Sequence, residues 1–454
     1  MFQLRKKTLA CRSLVQRSGL LLVLLLSLGT LSPSIVHADA VSDWSAIATT
    51  AAVVNAKRTP PAATFDLAYV HAAIYDAVNA IDRRYTPFAV RLHHVPVSAS
   101  QEAATAAAAY TVLKTLYPTQ QTFLDSSYAS ALAAIPDGPS KDEGIAIGST
   151  VATKFLALRA DDGRDANITY TFGSGPGVYQ LTPGSPAPPI APLSPWVAKA
   201  KPFALKSPDQ FRPGGPPRLT SHKWAKDYNE TKDYGALNNS LRTPEQTEIG
   251  LFYGVENPVI QYNRIFRNFA ATQGFSVADS ARFFGQLYVT SADSFIAGWD
   301  AKYYFNFWRP VTAIRAGDTD GNDNTVAEPG WLPLVVTPPH PEYPAAHGTF
   351  TGSYATFLRL FFETKNVYIT LTSTAVATPR SFDNTDDLIK EIIDARIFGG
   401  MHYRISGEDG IVVGKKIAKW VARHYFRPVD DCDRHHGDGH DGDDDHDDDH
   451  DHDD

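Results

Sequence analysis

The body of this chain has no cysteine: of the two in its 454 residues, Cys11 falls near the N-terminus and Cys432 in the tail. Disulfide staples, thiolate metal sites and thiol nucleophiles are therefore excluded for the core. At 43% hydrophobic and 11% aromatic residues the chain is long and apolar enough to fold without them. A basic surplus is also missing. Residues 430–454 carry 14 aspartates and one arginine, and removing that −13 from the whole-chain −8 leaves +5, all of it supplied by Arg5, Lys6, Lys7, Arg12 and Arg17. The body, 39–429, is formally neutral, which gives no electrostatic footprint for nucleic acid. No apolar run is long enough to cross a bilayer; Leu20 to Leu28 is too short. The second half lacks the alternating pattern of strands, and no fixed-period repeat is visible.

What is present begins with an export signal. Basic residues precede the run Leu20 to Leu28, and Val36-His37-Ala38 offers a small-residue cleavage site, so residues 1–38 read as a signal peptide cut after Ala38 or Ala40. No arginine pair in that stretch suggests twin-arginine export. The mature protein is expected to be secreted or periplasmic, with no membrane span. At the other end, 430–454 is an Asp/His-rich tail that cannot bury a core and is expected to be disordered.

Between these ends the text is helical, and the expected fold class is all-α. In the N-terminal helical region, 39–160, Thr64 is placed as the cap of a helix burying Leu67, Val70, Ile74, Val78 and Ile81. Ser98-x-x-Gln101 is placed as the start of a second helix, Pro118 to Ile135 as a third, and Ser140-x-x-Glu143 as the capping box of a fourth. His71 and Asp76 read as satisfied core or surface polar residues. Residues 161–240 form a Pro/Gly-rich connector, extended and wrapped on the helical body, that can wall a site entrance. Thr243-Pro244-Glu245-Gln246 opens the helical region 241–429 with cap, proline and box residue in place. Asp318 to Asp323 misses the EF-hand pattern and reads as a polar turn.

The chemistry gathers between Trp299 and His402. Lys302 and Arg309 are seven residues apart, nearly two turns of an α-helix, which predicts two cations on one face. Pro344-Ala345-Ala346-His347-Gly348 leads into a helical pattern, so His347 is expected at a helix N-terminus, where free amides favour negative charge. Arg396 ends a helix before Gly399-Gly400 turns the chain to present His402. Three fixed cations and two histidines suit one tetrahedral oxyanion.

Lys-x6-Arg-Pro, Pro-x-x-His and Arg-x5-His, in that order with helices between, resemble the vanadium-dependent haloperoxidases and the related type 2 phosphatidic acid phosphatases, most specifically across Lys302 to His402. The resemblance implies two four-helix bundles with the site in the second. It implies that Lys302, Arg309, Arg396 and the amide of Ala346 bind the oxygens of vanadate, that His402 bonds the central atom axially, and that His347 is the acid–base residue. Phosphate is implied as an occupant of the same site. Trp299 resembles the chloroperoxidase choice at its position and His340 the bromoperoxidase choice. The implied reaction uses hydrogen peroxide to oxidise halide, bromide or iodide in preference, to hypohalous acid, which acts on a small organic acceptor. The alternatives are a secreted acid phosphatase, in which His402 is the nucleophile and His347 protonates the leaving alcohol, and a non-catalytic phosphate or vanadate binder. Three positions depart from the family pattern. Ala345-Ala346 stand for Ser-Gly, Ala395 for a serine, and Ser406 for an aspartate whose charge must then come from elsewhere or be absent.

Overall fold

A computed structural model describes residues 39–182 and 192–429. The expected signal peptide and Asp/His-rich tail lie outside the described residues. Among the described residues thirteen α-helices follow one another: α1 (Ala40–Thr49, continued by a π-helical turn at Thr50–Asn55), α2 (Pro60–Asp82), α3 (Gln101–Leu116), α4 (Gln121–Ala133), α5 (Pro139–Leu158), α6 (His222–Gly235), α7 (Pro244–Gly254), α8 (Pro258–Gln273), α9 (Val277–Phe305), α10 (Pro310–Arg315), α11 (Ala346–Phe361), α12 (Thr385–Phe398) and α13 (Arg404–His424). The all-α expectation holds, with one small departure. β1 (Ile369–Leu371) and β2 (Arg380–Phe382) pair antiparallel, Ile369 opposite Phe382.

Helix starts follow local chemistry, though not always at the expected residue. The capping box at Thr243 is formed, the Thr243 hydroxyl accepting from Gln246 N and the Gln246 amide oxygen accepting from Thr243 N. Thr64, however, lies buried inside α2, which starts after Thr59 because Pro60 and Pro61 supply the pre-set φ of a first turn. Ser100, not Ser98, caps α3 by accepting from Ala103 N at 3.1 Å. The expected box at Ser140 is not made. α5 begins at Pro139, and the Ser140 hydroxyl donates instead to the Ser98 carbonyl at 2.6 Å, tying two helix starts together.

His71 and Asp76 of α2 are core residues. His71 is fully buried, stacked on Tyr288 and bonded through Nε2 to the Ser45 hydroxyl at 3.0 Å; burial pushes its pKa down to about 3. The Asp76 carboxylate accepts the backbone N–H groups of Phe88, Ala89 and Val90. Asp318 to Asp323 is a polar turn, with Asp320 accepting from the Trp224 indole and the Thr325 hydroxyl.

α9 is the axis of the molecule. It is buried along most of its 29 residues, including polar ones such as Asp293, Asp300 and Lys302. It packs against α2 on one side and against α11 and α13 on the other, while α2, α3 and α5 pack together and α11, α12 and α13 pack together. One hydrophobic cluster runs through both groups, from Val41 in α1 to Phe426 beyond α13.

The connector is pinned to α9 at several points. Asp293 accepts three backbone amides, Phe203, Ala204 and Leu205, at 2.7, 2.8 and 2.9 Å. Arg212 forks onto Asp300 at 2.7 and 2.9 Å. The Leu193 carbonyl takes the Trp299 indole N–H and the Tyr303 hydroxyl, both at 3.0 Å. The connector is not extended throughout, since its last part forms α6, whose Trp224 and Tyr228 enter a smaller aromatic cluster with Trp308, Trp331 and Tyr403.

One expectation fails here. Lys302 and Arg309 do not share a helix: α9 ends at Phe305, Asn306 adopts the left-handed conformation, and Arg309 stands in extended backbone just ahead of α10. The connector causes the break. Tyr179 N donates to the Asn306 carbonyl at 2.8 Å and Trp308 N to the Gly177 carbonyl at 3.2 Å, so backbone that could continue the helix pairs with another segment instead. In extended backbone neighbouring side chains point to opposite sides. Trp308 enters the aromatic cluster, stacking on Trp224, and Arg309 reaches the His340 and Met401 carbonyls.

Candidate active site for an oxyanion

A cavity of about 260 Å³ lies among α7, α9, α11, α12 and the segment 336–347. His347, His402, Arg396, His340, Trp299, Ala346 and Met401 line it, together with Leu193 of the connector. The connector thus contributes Leu193 to the cavity wall. Lys302 and Arg309 are fully buried beside these residues, and the site residues picked out in the sequence converge although they come from five separate stretches of chain.

Each side chain is held by its own set of contacts. The Lys302 ammonium donates to the Pro341 and Glu342 carbonyls at 3.0 and 2.8 Å, which leaves one of its three N–H donors. Arg309 donates through Nε to the His340 carbonyl at 2.8 Å and through one terminal nitrogen to the Met401 carbonyl at 3.0 Å. That same nitrogen is 3.3 Å from His402 Nε2, and the other lies 3.1 Å from His340 Nε2. Arg396 donates to the Tyr253 carbonyl at 3.2 Å and lies 2.7 Å from the Met401 sulfur, while its Nε is buried without a partner. None of these three cations has a carboxylate within ion-pair distance among the described residues.

His347 is the second residue of α11 and half-buried, with the unbonded amides of that first turn beside it. α11 is drawn onto α13 at glycines where a side chain would force the backbones apart: a Cβ on Gly414 would lie 2.1 Å from the Thr349 carbonyl, and one on Gly348 2.7 Å from the Gly407 carbonyl. This close seam sets the distance between His347 and the start of α13. Gly400 has φ +70°, and a Cβ there would strike the Gly235 carbonyl at 2.5 Å. The turn it permits separates Arg396 from His402 and aims both at the cavity.

The residue that sequence reasoning missed is Glu342. It is completely buried, and its carboxylate accepts from His402 Nδ1 at 2.8 Å, from Tyr403 N at 3.1 Å and from the Ser406 hydroxyl at 2.6 Å. The missing aspartate at 406 is thus replaced from another segment, with Ser406 bonded to the replacement. The hydrogen bond to Glu342 keeps the proton on His402 Nδ1, so Nε2 carries the lone pair, which an Arg309 N–H approaches at 3.3 Å. Burial pushes the Glu342 carboxyl up to about 7, while Lys302, the Ser406 hydroxyl and Arg309 pull the other way.

The electrostatics are those of a cation-rich cavity with too little negative charge. Burial, with Arg309 and Arg396 as neighbours, holds the Lys302 pKa well below its usual value; burial and Arg309 lower Arg396 to about 9, and burial lowers Arg309 to about 10. His347, His340 and His402 are all pushed well below the ordinary histidine range, by burial first and then by these cations, and are neutral. His340, which the sequence placed among prolines, is buried at 5.0 Å from the Trp299 ring and accepts from Arg309. Three buried cations opposed by one carboxylate are costly to desolvate, and an anion in the cavity offsets that cost.

Residues 282–431 match the family model of the VCPO second helical-bundle domain, a span that takes in Lys302, Arg309, His347, Arg396 and His402. That stretch, which carries the cations and histidines of the cavity, is what the chain has in common with the vanadium haloperoxidases. It is 27% identical over 384 residues to the vanadium chloroperoxidase of Curvularia inaequalis, the match covering 67% of this chain and 61% of that relative's length. The fold is similar to the crystal structure of the first bacterial vanadium-dependent iodoperoxidase, with a TM-score of 0.74 at 23% identity, covering 86% of this chain and 97% of that one. It is also similar to a holo-type bacterial vanadium-dependent chloroperoxidase, with a TM-score of 0.64 at 18% identity, covering 82% and 93%. No helix among the described residues is long and apolar enough to cross a membrane.

Proposed function

We propose that this protein is a vanadate-dependent haloperoxidase that uses hydrogen peroxide to oxidise bromide and iodide. The observation that carries the reading is the set of three buried cations without carboxylate partners around a cavity into which His347 and His402 open. The donors present fit a tetrahedral oxyanion. Arg396 has an unpartnered buried Nε, Lys302 an unused N–H, and the Ala346 amide sits in the free first turn of α11. Lys302, Arg309, Arg396 and Ala346 would hold the oxygens, and His402 Nε2, kept unprotonated by Glu342, would bond the central atom. Bound vanadate would supply a Lewis acid that activates hydrogen peroxide. The chain's own part is to neutralise and orient the anion and to manage protons. His347, neutral and in the cavity, accepts the peroxide proton and returns it to the leaving oxygen. The apolar rings of Trp299, Phe295 and Phe350 along the cavity exclude water and favour the halides that give up hydration most readily.

Steady-state rates of the vanadate-loaded enzyme with the three halides test this preference. Bromide and iodide are expected to be turned over at least about ten-fold faster than chloride, a difference near 1.4 kcal/mol in barrier. Equal or faster chlorination would remove it. We also propose export, with cleavage after Ala38. Asp39 caps α1 by accepting from Val41 N and Ser42 N and bonds the Ser280 hydroxyl, so a cut after Ala40 would remove the cap.

A further inference from the structure

The sequence holds two methionines, Met1 and Met401, and no cysteine between positions 12 and 431. Met401 is therefore the only sulfur among the described residues, and it lines the cavity. Its Sδ lies 2.7 Å from an Arg396 terminal nitrogen, while the Arg396 Nε has no partner at all. The residue is held on both sides, its carbonyl taking an Arg309 N–H at 3.0 Å and its own N–H donating to the Arg396 carbonyl at 3.1 Å. A thioether is a poor acceptor, so a charged donor of the site is directed at an atom that uses it weakly. A sulfoxide oxygen in the same place would be a strong one.

We propose that Met401 is an oxidation site through which peroxide switches the cavity off. In the step, the Met401 sulfur attacks one oxygen of hydrogen peroxide, an S–O bond forms and the O–O bond breaks. Sulfur loses two electrons, and the second oxygen leaves as water with both peroxide protons. The new oxygen accepts from Arg396, occupies space in the cavity and withdraws one of the three cations from the anion. A methionine sulfoxide reductase restores the thioether. The proposal rests on the haloperoxidase reading only for the source of the oxidant, and the experiment supplies peroxide directly.

The full mature protein, stripped of bound anions, is exposed to graded hydrogen peroxide, mapped by peptide mass spectrometry and titrated with inorganic phosphate by calorimetry. A single oxygen is expected on the Met401 peptide, at peroxide concentrations that leave the Trp299 peptide unmodified. Phosphate affinity is expected to fall on the order of ten-fold, as loss of one charge-assisted donor implies, and to recover after treatment with a methionine sulfoxide reductase. In Met401→Leu, which keeps the side-chain volume, phosphate affinity should be the same before and after peroxide. Reductase recovery in the unmutated chain decides the matter if that variant does not fold. An unmodified Met401, oxygen on Trp299 instead, or an oxidised protein that binds phosphate as before would overturn the proposal. None of these readouts needs turnover, so a protein that fails to brominate can still pass them.

Discussion

His347→Ala is expected to lower turnover by about 10²- to 10⁴-fold, the usual contribution of a positioned acid–base group, while anion affinity stays within a few-fold. The separation of the two effects follows from where His347 stands. It enters the cavity from the first turn of α11, whereas the buried positive charge belongs to Lys302, Arg309 and Arg396 on other segments. Burial, Arg396 and Lys302 together push its pKa well below the histidine range, so the imidazole is a proton acceptor at neutral pH. An anion arriving beside it favours the protonated form, and the same ring can then act as the acid. Calorimetric titration with phosphate and steady-state rates, made on the same preparation, measure both quantities. Full turnover in the variant would remove His347 from the mechanism, and loss of binding in parallel with rate would make it a ligand rather than an acid–base group.

The second large effect is expected at Glu342. Glu342→Ala leaves His402 Nδ1, Tyr403 N and the Ser406 hydroxyl without their acceptor in a fully buried place. Breaking a buried charged arrangement of this kind costs about 3–5 kcal/mol of stability. If His402 bonds the anion as proposed, losing the group that orients it is expected to weaken anion binding by about 10- to 100-fold. Glu342→Gln keeps the shape and an acceptor oxygen for Nδ1–H but removes the charge that favours a protonated His402. Its anion affinity should remain within a few-fold of the original while turnover falls on the order of ten-fold. Denaturant midpoints and phosphate titrations of the two variants test this. An alanine variant with unchanged stability and unchanged anion affinity would show that Glu342 does not position His402.

Why some of this was legible in the sequence and some was not comes down to the range of the interactions. His347 at a helix start and Arg396 before a double-glycine turn are local facts, written in Pro344 and in Gly399-Gly400, and the structure places them as the sequence implies. Thr64, Ser98 and Ser140 are local signals too, but each lost to a stronger neighbour or to a contact outside its own helix: Pro60-Pro61, Ser100, and the Ser98 carbonyl. The spacing of Lys302 and Arg309 suggested one helix face. Their convergence is real, but it is produced by a helix that ends at Phe305 and by connector residues Gly177 and Tyr179, more than a hundred positions away, pairing with the backbone that follows. Glu342 could be looked for because Ser406 left a charge unaccounted for. Nothing local marks it as the answer, since it reaches His402 across 60 residues of chain.

The central claim, that these cations and histidines serve vanadate-dependent halide oxidation rather than phosphoester hydrolysis, is tested most directly by a paired assay on the anion-stripped protein. One arm follows bromination of a phenolic dye with hydrogen peroxide and bromide, the other hydrolysis of an aryl phosphate, each with and without added orthovanadate. The predicted result is bromination that requires vanadate and is suppressed by phosphate. Hydrolysis of the aryl phosphate that vanadate inhibits, with no bromination under any condition, would contradict it and assign His402 to a phosphatase.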